Sequence, residues 1–372
     1  MLLLRKRLHD RLSEIVMWID YSIYLVINFF RFKQFPKIIN KIIVVEMYSL
    51  GDLLVATPVF EALKKMYPSA KVDALVMDSA RSILDRNKNI NKVLAYKTFT
   101  ESKNEIKKNA YDLGIILHPG SFKVSLLLLL SGVKYRIGCA KSGITYGKGF
   151  FLNNKIRPRL LWQHKIEDNL DVVRSIAKNE VIMNHVKKRP TLIADKGAEQ
   201  KILKVVARKK QPVVVIHPGS KHKTQRWYPE RFAAVADYLI GKYKSTVIFT
   251  GSEDQKPQVS EIIQKIRNKV GIINLTGKTS FDEFVALLKN VNLVISIDTS
   301  TIHIASAFNV PIVALFGPTI PVFWGPTSDK HRTIWKKEVC VGCRRYECII
   351  KTHECMRSIT VNDVIREVQE IL

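Results

Sequence analysis

The stretch Ile295-Ser-Ile-Asp-Thr-Ser-Thr-Ile-His-Ile-Ala-Ser-Ala-Phe-Asn-Val-Pro-Ile-Val-Ala-Leu-Phe-Gly-Pro-Thr319 decides the fold. An apolar, β-branched run ends near Ile297, a polar turn follows, and a short helix starts near Thr301. Residues 310–316 form a second apolar run that stops at Gly317-Pro318. Strand, turn, helix and strand in so short a span make a parallel unit, and open α/β sheets take ligands at the carboxyl ends of their strands. Asp298, Thr299, Ser300, Thr301 and His303 crowd that place. A helix N-terminus there offers unpaired N–H groups and a positive dipole end, which suit a phosphate. The plain alternative is an ordinary N-cap made by Asp298 or Thr299.

The alternation extends upstream in two blocks. In the second block, strands are expected at 212–217, 245–250, 271–275 and 292–297, with helices at 229–243, 255–268 and 281–289. In the first block, strands are expected at 41–47, 72–77, 92–96, 111–117 and 134–138. Its helices fall at 53–66 and through the five-leucine run 126–130, which is too short to span a bilayer and reads as core. Residues 139–200 are less regular apart from a helix near 166–178. Two such blocks imply two doubly wound, Rossmann-like parallel sheets facing a cleft. The expected borders are a segment 1–40, an N-terminal domain 41–205, a C-terminal domain 206–338, and a Cys-rich loop with a C-terminal helix at 339–372.

Composition narrows the partners. The chain has 372 residues, enough for two domains. Its 60 Lys and Arg against 33 Asp and Glu give a net charge of +27, which favours an anionic partner. No base-stacking or DNA-reading motif accompanies that charge, so a phosphorylated substrate or a membrane surface is expected rather than nucleic acid. Residues 1–40 point to the second of these. Arg5, Lys6, Arg7 and Arg11 precede an apolar, aromatic stretch at 15–30, and Arg31, Lys33 and Lys37 close it. The stretch is shorter than the ~20 residues of a spanning helix, so it reads as an amphipathic extension lying on an anionic leaflet. No small-residue cleavage site follows it, and a cytoplasmic protein with reduced thiols is expected.

Three further loops carry candidate chemistry. Ser49-Leu-Gly-Asp52 joins the first strand to its helix, with Gly51 allowing a tight turn. Asp52 at that helix start is a candidate general base, or else a cap. His217-Pro-Gly-Ser-Lys-His-Lys-Thr-Gln-Arg226 follows the first strand of the second block. Ser220, Lys221, Lys223 and Arg226 there suit phosphate, against the alternative of a solvated charge run. Gly251-Ser-Glu-Asp254 ends the next strand, where an acid commonly holds ribose hydroxyls, although a capping turn fits equally.

Together these pieces resemble glycosyltransferase family 9, the bacterial heptosyltransferases of lipopolysaccharide core assembly. The motifs are Ser49-Leu-Gly-Asp52, His217-Pro-Gly-Ser220 through Arg226-Trp-Tyr-Pro-Glu, Gly251-Ser-Glu-Asp254, Leu275-Thr-Gly-Lys-Thr-Ser280, Ser296-Ile-Asp-Thr-Ser-Thr-Ile-His303 and Phe316-Gly-Pro-Thr319. The resemblance implies a GT-B fold and inverting, metal-independent transfer from ADP-heptose to a lipid A-linked core acceptor. It requires no cofactor and places the protein peripherally on the inner face of the inner membrane. It makes Asp52 the base. Ser220, Lys221, Lys223, Arg226, Asp254, Asp298, Thr299, Ser300, Thr301 and His303 fall on the donor side, and Ser49, Gly51 and His164 on the acceptor side. Two positions depart from the family pattern. Gln225 stands where Lys is frequent, and Ser300 where Gly is usual. They motivate the alternatives of another nucleotide sugar or acceptor, or a non-catalytic sugar-nucleotide-binding scaffold.

Cys340-x2-Cys343-x4-Cys348-x6-Cys355 stands apart. Four thiolates so close can hold a structural zinc, although the second CxxC of a zinc ribbon is missing. The alternative is free or redox-active thiols.

Overall fold

The structure, a computed structural model, describes residues 34–139, 151–156, 159–160, 162–177, 181–207, 209–336, 342–343 and 345–372. Most of the expected membrane-surface segment, and Cys340, lie outside these residues. The chain divides into two units, 1–188 and 189–372.

In the first unit the order is β1 (Lys41–Glu46), α1 (Leu50–Ala56), α2 (Pro58–Met66), β2 (Lys71–Met77), β3 (Lys92–Tyr96), α3 (Phe99–Asn109), β4 (Leu113–Ile116), α4 (Phe122–Leu130), β5 (Tyr135–Cys139), β6 (Asn154–Ile156) and α5 (Lys165–Arg174). The six strands are all parallel, in the order β3-β2-β1-β4-β5-β6. Helices covering both faces leave β1 a near-continuous apolar run, and Ile42, Ile43, Val44 and Val45 are almost wholly inaccessible. Burying each such side chain contributes roughly 1.5–3 kcal/mol. The single helix expected at 53–66 is two. Pro58 has no N–H to donate back to Leu54, so α1 stops and Thr57 hydrogen-bonds Leu54 instead. In the leucine run Leu127 and Leu128 are buried, as a core helix requires.

The second unit runs α6 (Lys196–Val206), β7 (Val213–His217), α7 (Pro229–Tyr243), β8 (Thr246–Phe249), α8 (Lys256–Lys265), β9 (Ile272–Asn274), α9 (Phe281–Lys289), β10 (Leu293–Ile297), α10 (Ser300–Ala307), β11 (Ile312–Phe316), β12 (His331–Trp335) and α11 (Val361–Gln369). Its sheet is again wholly parallel, ordered β12-β11-β10-β7-β8-β9. Helix α6, unrecognised in the irregular stretch, packs on α9. It therefore belongs to the second unit, and the border falls earlier than the expected 205/206. The C-terminal helix is no flanking tail. Val364 and Val368 of α11 are fully buried, and Trp227 donates its indole N–H to the Ile359 carbonyl at 3.0 Å.

Both sheets reverse their winding direction once. In the first the reversal lies between β1 and β4, and in the second between β7 and β10. The crevice outside the carboxyl ends of such strands is where doubly wound sheets bind ligands.

Candidate active site

At the first switch point the turn after β1 carries Ser49, Gly51 and Asp52. Ser49 is the N-cap of α1 and Asp52 its third residue, so Asp52 is not the cap itself. The two form a capping box. The Asp52 N–H donates to Ser49 Oγ at 3.3 Å, and the Ser49 N–H and hydroxyl donate to Asp52 Oδ2 at 3.3 and 2.6 Å. Both bonds to the Asp52 carboxyl end on Oδ2, and Oδ1 takes none among the described residues. Burial raises the Asp52 carboxyl above the ordinary range, while the Ser49 hydroxyl, two backbone N–H groups and the charge of Lys165 pull it back.

Lys165 was not among the residues singled out. It sits buried in the first turn of α5, ion-paired to the fully buried Asp168. Asp168 also accepts from Gln163 Nε2 at 2.9 Å. A lysine in a first helical turn opposes the dipole, and that mismatch was a readable signal. His164 caps α5, its Nδ1 accepting the Ile166 N–H at 3.2 Å. Tyr48 ties this turn to the loop after β4 by donating its hydroxyl to the Gly120 carbonyl at 3.2 Å.

At the second switch point the loop after β7 packs tightly. A Cβ at Gly219 would fall 2.1 Å from Gln255 Oε1, so any larger residue there would have to displace the Gln255 side chain. Ser220 is buried. Its hydroxyl donates to Gln225 Oε1 at 2.6 Å and accepts the His222 N–H at 3.0 Å, while Arg226 Nε donates to its carbonyl at 2.9 Å. Gln225 Nε2 in turn reaches Asp298 Oδ2 at 3.4 Å. One neutral side chain thus links the loop after β7 to the turn after β10. Burial pushes the Asp298 carboxyl up to about 6, with Thr319 pulling the other way. His217 is half-buried, its Nδ1 3.0 Å from Thr250 Oγ1, and desolvation pushes it down to about 4, so it is neutral.

Thr299 is the N-cap of α10, its Oγ1 accepting the Thr301 N–H at 3.4 Å. Ser300 is the first helical residue, in backbone any residue adopts, so the turn makes no conformational demand for glycine. His303 is buried inside α10 with its ring 6.3 Å from that of Trp324. Lys221 and Lys223 are exposed. Asp254 is also exposed, and it is held below its ordinary value by the Ser252 hydroxyl and by the charges of Lys221 and Arg226. The structure thus gathers Ser220, Gln225 and Asp298 into one network, with Thr299 and Thr301 at the adjoining helix start.

The cysteines form no ligand set among the described residues. Cys343 is exposed, Cys348 half-buried and Cys355 buried in the apolar core. They line one cavity of about 170 Å³ with Thr224 and His353, yet no three His, Cys, Asp or Glu side chains gather closely enough for a metal among the described residues.

Comparison with known proteins agrees with this layout. The model of glycosyltransferase family 9 (heptosyltransferase) matches residues 100–353. Lipopolysaccharide heptosyltransferase 3 of Escherichia coli K12 is 28% identical over 340 residues, 87% of this chain and 95% of that one. Among solved structures, a family 9 glycosyl transferase from Veillonella parvula superposes with a TM-score of 0.75 at 20% identity, covering 89% of this chain and 97% of its own. The E. coli ADP-heptose lipopolysaccharide heptosyltransferase II does so with a TM-score of 0.72 at 24% identity, covering 89% and 98%.

Proposed function

The chain belongs to glycosyltransferase family 9, and on that premise we propose that it transfers heptose from ADP-heptose to a lipopolysaccharide core acceptor, with inversion and without a catalytic metal. It is a glycosyltransferase of the GT-B fold, and its curated relatives are lipopolysaccharide heptosyltransferases. The observation that carries the finer reading is Asp52: a partly buried carboxylate, locked through Oδ2 by its own helix cap, with Oδ1 left to take a proton.

In this reading Asp52 Oδ1 accepts the proton of the acceptor hydroxyl as that oxygen attacks the anomeric carbon. A single base on the side opposite the leaving group suffices for inversion. The carbon–oxygen bond to ADP breaks and negative charge collects on the diphosphate. The positive dipole end of α10, Ser220, Lys221, Lys223 and Arg226 are the groups proposed to hold it, as electrostatic stabilisation. Asp254 is proposed for the nucleoside, and Ser49, Gly51 and His164 for the acceptor. His164 would act through the start of α5, which it caps.

Asp52→Asn keeps the shape and removes the base. It is expected to lower kcat by about 10²–10⁴-fold, with ADP-heptose affinity retained, in an assay of ADP release. Full turnover in that variant would remove Asp52 from the mechanism.

The Gln225 bridge favours one second reading, a different nucleotide sugar. A neutral amide bonded to both Ser220 and Asp298 gives a diphosphate no cation at that position. Calorimetric titration with a panel of nucleotide sugars separates the two, since tight binding of ADP-heptose alone supports the heptosyl reading. The basic segment 1–40 is proposed to bind an anionic inner leaflet. No helix among the described residues is long and apolar enough to cross a membrane.

A further inference from the structure

Glu46 closes β1 and has no part in the mechanism above. It is only 4% exposed at the carboxyl end of a strand whose other residues are mostly apolar. Oε1 accepts the Tyr48 N–H at 3.0 Å. Oε2 is buried with no hydrogen-bond partner among the described residues. Val76, its partner in register on β2, offers no polar side chain. The charge of Asp52 acts directly on it.

We propose that Glu46 is a positioning residue, a neutral carboxylic acid behind Asp52 that leaves Asp52 as the single charged carboxylate of the pair. The inference rests on reading Asp52 as the base.

Two carboxyl groups in one partly buried place do not both ionise readily, so the pair shares one charge over a range of pH. The surroundings decide where it goes. Asp52 has the Ser49 hydroxyl, two backbone N–H groups and the charge of Lys165. Glu46 has backbone N–H groups of the turn alone, and an ionised Oε2 would stand buried and unpaired. The other groups facing the pair do not reverse this. Asp168 on α5 is engaged by Lys165, and the Tyr48 phenol is pushed up by burial and by both carboxyls, so it stays neutral. Burial and Asp52 together raise Glu46 well above the carboxylate range. Its carbonyl oxygen meanwhile holds the Tyr48 N–H, and so the start of the turn that presents Ser49 and Asp52. A glutamine can make that bond, and an alanine cannot.

The test is a carboxyl ¹³C NMR titration of the full chain labelled in Glu and Asp, assigned with E46Q and D52N. It is read beside pH profiles of kcat/KM for heptose transfer by the wild type, E46Q and E46A. Glu46 is expected to titrate above Asp52. E46Q should leave the acid limb in place and recover most of the kcat lost in E46A, a loss of about tenfold with donor KM unchanged. The proposal is overturned if Glu46 titrates below Asp52, or if E46Q moves the acid limb down, as removing a charged neighbour would. If D52N turns over normally, the base reading fails, and the NMR order still decides the protonation of Glu46.

Discussion

Asp298 shows how far a residue can be read before its surroundings are known. Its place in a polar turn after an apolar run is visible in the sequence, and so is that of Asp52. Its raised carboxyl and its bond to Gln225 are not, because they depend on a loop more than 70 positions away. Glu46 was missed for the same reason: an acid ending an apolar strand acquires meaning only once its burial and the nearby charge of Asp52 are known. The Asp298 environment has a thermodynamic consequence. A folded-state value of about 6 lies above the ordinary 3.8, so the folded state favours the protonated form. Its contribution to stability is complete below the unfolded value and is lost as pH rises through about 6. The gap of about two units corresponds to on the order of 3 kcal/mol at most. Asp298→Asn should therefore melt higher than the wild type at pH 8 and equally at pH 4. An equal difference at both pH values would contradict the assignment.

Among the elements, the strands were the most legible, since β-branched apolar runs of five or six residues bounded by turns are hard to mistake. Helix starts were less so. The helix expected from Leu53 begins at Leu50, because Ser49-x-x-Asp52 is a capping box with Asp in the usual Glu place. The same box restrains the catalytic candidate. Ser49→Ala should cost about 1 kcal/mol in chemical denaturation. It should also move the acid limb of kcat/KM upward, since the Ser49 hydroxyl is the largest influence lowering Asp52. An unmoved limb would show that the hydroxyl does not restrain the base. Helix α11 was expected as an appendage, yet its buried face completes the core of the second unit. Val364→Ala and Val368→Ala should each cost about 1–2 kcal/mol from lost apolar burial, measurable by urea denaturation. A change within a few tenths would return α11 to the status of a flank.

For the whole molecule, two doubly wound parallel sheets were readable from two blocks of alternation, while the sixth strand of each, β6 and β12, was not. The border between the units was not, because a helix's own pattern does not say which sheet it covers, and α6 is assigned by what it packs against. The +27 charge remains the most general property, and it suits both a diphosphate donor and an anionic surface. Removing residues 1–37 should abolish sedimentation with vesicles containing anionic lipid while leaving transfer to a soluble acceptor intact; unchanged sedimentation would place the lipid contact elsewhere. The central proposal is that Asp52 is the base of heptose transfer from ADP-heptose. It is tested most directly by comparing single-turnover heptose transfer from ADP-heptose in the wild type and Asp52→Asn, with donor affinity measured on the same samples. The account predicts transfer slowed by at least about 100-fold with donor affinity preserved. Transfer at the wild-type rate, or loss of donor binding in step with loss of transfer, would contradict it.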